Sequence, residues 1–123
     1  MYQSGYEQYK MQSVNTMTRS EMLLLLYDEL IKRLTRAQIA LDDKNYALFD
    51  KSVQRSREIV QYLKKTLNME YKISYELRRM YEFFLFEISR LQAGRNGAVV
   101  DELKPLVIEL RDAFKEASKS TNL

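Results

Sequence analysis

The sequence predicts an all-α protein, an antiparallel up-down-up-down four-helix bundle with an N-terminal leader segment. Three observations predict it. Apolar residues recur at steps of three and four through four successive stretches of roughly 20 residues, the period of helices buried on one side. Short polar connections separate the stretches, which makes helices that follow one another antiparallel neighbours. Finally, 123 residues with three glycines and one proline form one domain with too few tight turns for a β-architecture.

The first helix begins after Thr18, because Thr18-Arg19-Ser20-Glu21 has the spacing of a capping box. Leu23, Leu26, Leu30, Leu34, Ala37 and Leu41 give its apolar stripe, and the spacing pairs Asp28 with Lys32 and Glu29 with Arg33 on the outer face. Asp42-Asp43-Lys44-Asn45 ends it and caps the second helix, whose stripe is Phe49, Val53, Ser56, Val60, Leu63 and Leu67. After a break near Asn68 to Lys72, a third stripe runs through Ile73, Leu77, Met80, Phe84, Ile88 and Leu91 and stops at Ala93-Gly94-Arg95-Asn96-Gly97, where glycine suits a helix end. The fourth, from about Val99 to Lys119, carries Val99, Leu103, Leu106, Leu110, Ala113 and Ala117. Pro105 should bend its first turns unless the helix begins near Asp101. The expected organisation is a leader or lid over residues 1–17, a bundle over 18–119 and a tail over 120–123.

The missing residue types narrow the function. With no histidine and no cysteine, zinc sites of the Cys/His kind, thiol nucleophiles and His-dependent triads are excluded, as is a disulfide framework. No Gly-rich phosphate loop is present, and Asp42-Asp43 reads as a loop and cap rather than an acid pair. The sequence therefore predicts a non-enzyme with no metal and no cofactor. Cations exceed acids by only three, and the excess is shared between the two halves of the chain, so no basic face suited to nucleic acid is expected. Arg78-Arg79 and Lys64-Lys65 read as solvated helix surface. The longest apolar run, Met22 to Tyr27, is too short to span a membrane, and direct membrane insertion is not expected.

What is unusual is the amount of apolar surface. Met22-Leu23-Leu24-Leu25-Leu26-Tyr27 makes the first helix apolar almost all round for more than a turn, and Phe83-Phe84-Leu85-Phe86 does the same on the third. Packing accounts for Leu23, Leu26, Leu30, Met80 and Phe84, while Leu24, Leu25, Tyr81, Phe83 and Phe86 fit core and surface about equally. Nine tyrosines and no tryptophan suit a binding surface that stays wettable when empty. The leader places Tyr2, Tyr6, Tyr9, Met11, Val14 and Met17 among polar residues without a helical period. It reads as a segment that docks over the bundle and can be displaced. Three things could cover the excess: this leader, a second copy of the chain, or a foreign polypeptide.

Tyr9, Val14-Asn15-Thr16, the capped start at Thr18 and Glu21-Met22-Leu23-Leu24-Leu25-Leu26-Tyr27-Asp28 resemble, in order and spacing, the FliS family of flagellin-specific export chaperones. Ile73, Leu77, Met80-Tyr81, Phe83 and Arg90-Leu91 are similar to that family's third helix, and Leu110-Arg111-Asp112-Ala113-Phe114 to its closing segment. The chain departs from the pattern at Glu29, where glycine is usual, at Arg19, where proline is usual, and at Phe83, where tyrosine is common. The resemblance implies a cytoplasmic chaperone without catalysis. It would bind the disordered C-terminal segment of flagellin in an extended, wrapped form, prevent premature polymerisation and present the subunit to the flagellar export gate. It also implies the partner-binding residues: Tyr9, Val14 and Thr16 in the leader, Leu23, Leu26 and Tyr27 on the first helix, and Ile73, Leu77, Met80 and Tyr81 on the third. The competing reading of the same apolar excess is a self-associating bundle, a homodimer when free, with no flagellar role.

Overall fold

A computed structural model of the chain describes residues 17–121. Four helices follow in order: α1 (Arg19–Asp42), α2 (Tyr46–Lys65), α3 (Ile73–Gly94) and α4 (Ala98–Thr121). Among the described residues there is no strand. Helix α1 packs on α2 and α4, α2 on α3, and α3 more sparsely on α4, which closes a ring of four antiparallel helices. One end of the bundle therefore gathers the start of α1, the end of α2, the start of α3 and the end of α4.

Local chemistry sets the boundaries. Thr18 Oγ1 accepts the Glu21 N–H at 3.1 Å while the Glu21 carboxylate receives the Thr18 N–H, so the predicted capping box forms. Asn45 caps α2 through the Leu48 N–H at 3.2 Å. No side chain caps α3. Its first turn is held from the connection instead, where Ser74 Oγ donates to the Asn68 carbonyl at 2.6 Å. At the other end of α3, the left-handed residue is Arg95, with φ 46°, and not one of the flanking glycines expected there. Its guanidinium lies 4.3 Å from the centre of the Tyr46 ring and 3.8 Å from the Asp50 carboxylate, contacts that offset the strain of a side chain in that conformation. Helix α4 begins at Ala98 and runs unbroken through Pro105, which is exposed; the fourth helix thus includes turns expected to bend or to lie outside it.

The core is built from i, i+3, i+4 stripes, but three of them depart from the predicted positions; on α4 Val107 is buried where Leu106, 37% exposed, was expected, and Ala113 and Ala117 are exposed. On α1 the fully buried residues are Tyr27, Leu30, Leu34, Ala37 and Ala40, with Leu23, Leu26 and Leu41 only half-buried against them. On α3 Tyr81, 1% exposed, replaces Met80 in the stripe of Leu77, Phe84, Ile88 and Leu91. The hydroxyls explain the shifts on α1 and α3: a tyrosine goes inside only where its O–H finds a partner, and Tyr27 and Tyr81 find each other. The buried Ser56 is likewise satisfied, donating to the Ser52 carbonyl at 2.9 Å. Buried Glu87 takes both carboxylate oxygens to Arg90, at 3.0 and 3.1 Å. Outside, Glu29 pairs with Arg33 at 3.2 Å as predicted, while Asp28 turns away from Lys32 to meet Arg111 of α4 at 3.0 Å. Leu25, Phe83 and Phe86, left open by the sequence, are 41, 46 and 60% exposed.

Candidate partner-binding site

At the end of the bundle where α1 starts, the sequence segments separated most widely along the chain lock together. Tyr27 and Tyr81 share a hydrogen bond of 2.6 Å between hydroxyls that no water reaches. Phe114 of α4 packs on the Tyr27 ring, centroids 5.5 Å apart, and Arg111, one turn earlier, holds Asp28. Burial pushes the Tyr27 phenol far above its ordinary range, reinforced by the neighbouring Tyr81; burial raises Tyr81 as well. Arg111 is raised by its hydrogen bonds to Asp28 and Asp112. This interlock joins α1, α3 and α4 and forms a floor.

Above the floor opens a concavity of about 480 Å³. Its walls are apolar: Leu23 from α1, Ile73, Leu77 and Tyr81 from α3, Phe114 from α4 and Tyr71 from the α2–α3 connection. Arg19 sits on the rim and donates to the Thr66 carbonyl at 2.8 Å, tying the start of α1 to the end of α2. Ile73 and Tyr71, 56 and 64% exposed, leave the mouth open to solvent.

Two further concavities lie beside it along the sides of α2. One, about 430 Å³, runs between α1 and α2 over Met22, Leu25, Leu26, Ile59 and Tyr62. The other, about 420 Å³, lies between α2 and α3 over Gln61, Lys64, Lys65, Leu67, Met69, Arg78 and Leu85. Leu67 lines both this groove and the end pocket, so the two are adjacent. The result is a collar of hollows around one end of the bundle, a shape that an extended chain could follow.

The predicted residues divide over this geometry. Leu23, Ile73, Leu77 and Tyr81 meet in the end pocket, Leu26 lines the α1–α2 hollow, Tyr27 lies beneath the floor, and Met80 is half-buried against the core. Tyr9, Val14 and Thr16 lie outside the described residues. Sequence reasoning missed Tyr62, and it missed Met69 and Tyr71 beyond the end of α2, where no helical period marks an inward side; it counted Leu67 in the α2 stripe, although that residue lies past the helix and lines two of the hollows. Phe114 was legible only through its place in the closing segment. Glu29, which adds charge next to the leucine run, is matched internally: partial burial works against its ionisation, yet the hydrogen bonds and charges of Lys32 and Arg33 outweigh that and hold its carboxyl below the usual range.

Among the described residues no group of three or more acidic, histidine or cysteine side chains is placed to hold a metal ion, and no helix is long and apolar enough to cross a membrane. The family described as Flagellar protein FliS matches residues 1–121. The chain belongs to the FliS family. It is 27% identical over 118 residues to the flagellar secretion chaperone FliS of Bacillus subtilis (strain 168), which covers 96% of this chain and 89% of that protein. Its fold is similar to that of a bacterial flagellar chaperone solved by crystallography, with a TM-score of 0.81 and 16% identity over 94% of this chain and 95% of the other. Among the residues by which the sequence resembles this family, Tyr27-Asp28, Tyr81, Arg111 and Phe114 interlock under the end pocket.

Proposed function

We propose that this member of the FliS family is a cytoplasmic, non-catalytic chaperone. It binds the disordered C-terminal segment of flagellin, keeps it from polymerising and delivers it to the flagellar export gate. The observation that carries this reading is the collar: hollows on the α1–α2 seam, at the bundle end and on the α2–α3 seam, the last two sharing Leu67 as a lining residue. A disordered amphipathic segment laid along such a surface buries apolar side chains at successive stations and loses a few kcal/mol to ordering, which keeps tight binding reversible. The leader joins the bundle beside Arg19, on the rim of the end pocket. In this reading the leader covers that pocket when it is empty and is displaced by the client, which lowers apparent affinity while protecting the apolar walls.

The test is calorimetric titration of the full chain with a C-terminal flagellin peptide of about 40 residues, long enough in extended form to follow the collar. The expected result is one-to-one binding with a negative heat-capacity change, accompanied by a gain of helix in circular dichroism. A chain that stays a homodimer and does not bind at high micromolar peptide would overturn the proposal in favour of self-association.

A further inference from the structure

We infer that the groove between α2 and α3 reads charge: it takes an acidic amphipathic stretch of the client, with apolar residues on Leu67, Met69 and Leu85 and carboxylates at Lys64, Lys65 and Arg78. The inference rests on the client-binding reading above and adds the chemistry of one station. Three cations and no acid line this groove. Among the described residues the one carboxylate paired with them is Glu82, and it is shared loosely, 4.0 Å from Lys64 and 3.6 Å from Arg78. The neighbouring hollows differ. On the α1–α2 seam Arg55 is matched by Glu58 at 3.2 Å, and in the end pocket Arg19 is taken by the Thr66 carbonyl at 2.8 Å.

Helix electrostatics account for part of the groove but not all of it. Lys64 and Lys65 stand in the last turn of α2, where cations complement the helix dipole. Arg78 stands in the second turn of α3, near an end that favours acids, so the dipole gives no reason for it to face the same groove. The three charges converge because two antiparallel helices bring a C-terminal turn and an N-terminal segment side by side. Half-buried Leu67, Met69 and Leu85 beneath them favour an amphipathic peptide over a bare polyanion, which would leave that floor uncovered. An occupant leaving the end pocket across Leu67 enters between these cations.

The experiment measures binding of the C-terminal flagellin peptide to the full chain at 0.1 and 1 M salt, where the screening length falls from about 10 to about 3 Å. Lys64→Glu with Arg78→Glu should weaken binding about 10- to 100-fold at low salt and come within about threefold of the unmodified chain at high salt. Glu82→Gln, which releases both cations to the client, should tighten binding about three- to tenfold at low salt, a gain that misfolding does not produce. Lys51→Glu, an exposed change at the opposite end of α2, serves as control. If the unmodified chain binds but the reversal and Glu82→Gln both leave the affinity within twofold, the groove does not read charge and the inference fails. If the unmodified chain does not bind, it is the client reading that fails. A 20-nucleotide single-stranded RNA that displaces the peptide and loses affinity through the same reversal would make the groove a polyanion site, and would also overturn the inference.

Discussion

Replacing Tyr27 and Tyr81 by phenylalanine, singly and together, tests the interlock beneath the collar. The two hydroxyls lie 2.6 Å apart with 0 and 1% of each residue exposed, so neither can turn to water when its partner goes. Either single change removes a hydrogen bond worth about 1 kcal/mol net and leaves a buried hydroxyl unpaired, for a total loss of about 1–3 kcal/mol. The double change removes both hydroxyls and should be no more destabilising than one single change, a coupling of about 1–2 kcal/mol. Alkaline pH gives an independent readout. Burial raises both phenols, so the folded chain holds protons that the unfolded chain releases near its ordinary tyrosine pKa of about 10. Their contribution is complete below pH 10 and declines above it by about 1.4 kcal/mol per pH unit for each phenol held neutral. Urea unfolding at pH 8 and pH 11 should therefore show the unmodified chain losing stability more steeply than Tyr27→Phe/Tyr81→Phe. Additive single changes, or the same alkaline decline in the double variant, would refute a dry, mutually satisfied pair.

Two other perturbations separate surface from scaffold. Leu25→Glu with Tyr62→Glu changes residues 41 and 45% exposed in the α1–α2 hollow; stability should move by less than about 1 kcal/mol while peptide affinity falls at least about tenfold, and calorimetry alongside urea unfolding distinguishes the two effects. Pro105→Ala restores a backbone donor in the exposed middle of α4 and should add about 1–2 kcal/mol in urea unfolding, since proline costs about 3 kcal/mol relative to alanine in a helix interior and recovers part of that by stiffening the unfolded chain.

The sequence made the helices legible because their causes are local. The Thr18-x-x-Glu21 box and Asn45 act within four residues, and the apolar periods survive any tertiary arrangement. The rotation of the stripes on α1 and α3 was not legible, because periodicity treats Tyr81 as a polar-tipped flank and Met80 as core. Only the presence of Tyr27 across the bundle, 54 residues away, makes the tyrosine the better inside residue. Asp28 shows the same limit. A helical spacing offers it Lys32, and only the packing of α1 on α4 brings Arg111 nearer. Arg95 in place of glycine at a left-handed position depends in turn on Tyr46 and Asp50 of another helix. The collar was legible as an excess of apolar residues, but its lining was not: the α2 period carries on to Leu67, which lies past the helix end, and Met69 and Tyr71 belong to a connection with no period to read.

The interlock also explains how a closely committed core and an open apolar surface can occupy one end of a small bundle. Tyr27, Asp28, Arg111 and Phe114 are committed to one another, so changing any of them first costs the junction of α1 with α4. The walls above are not so committed: Ile73, Tyr71 and Leu25 stand 56, 64 and 41% exposed, where substitutions alter stability by only about 0.5 kcal/mol. The two layers are thus nearly independent energetically although they are in contact. A rigid floor holds the mouth of the end pocket open against collapse of its own apolar walls, which the interior of a bundle would otherwise close. The rim can then be altered, by a charge at Lys64 or Arg78 or a ring at Tyr62, without reopening the packing problem beneath it.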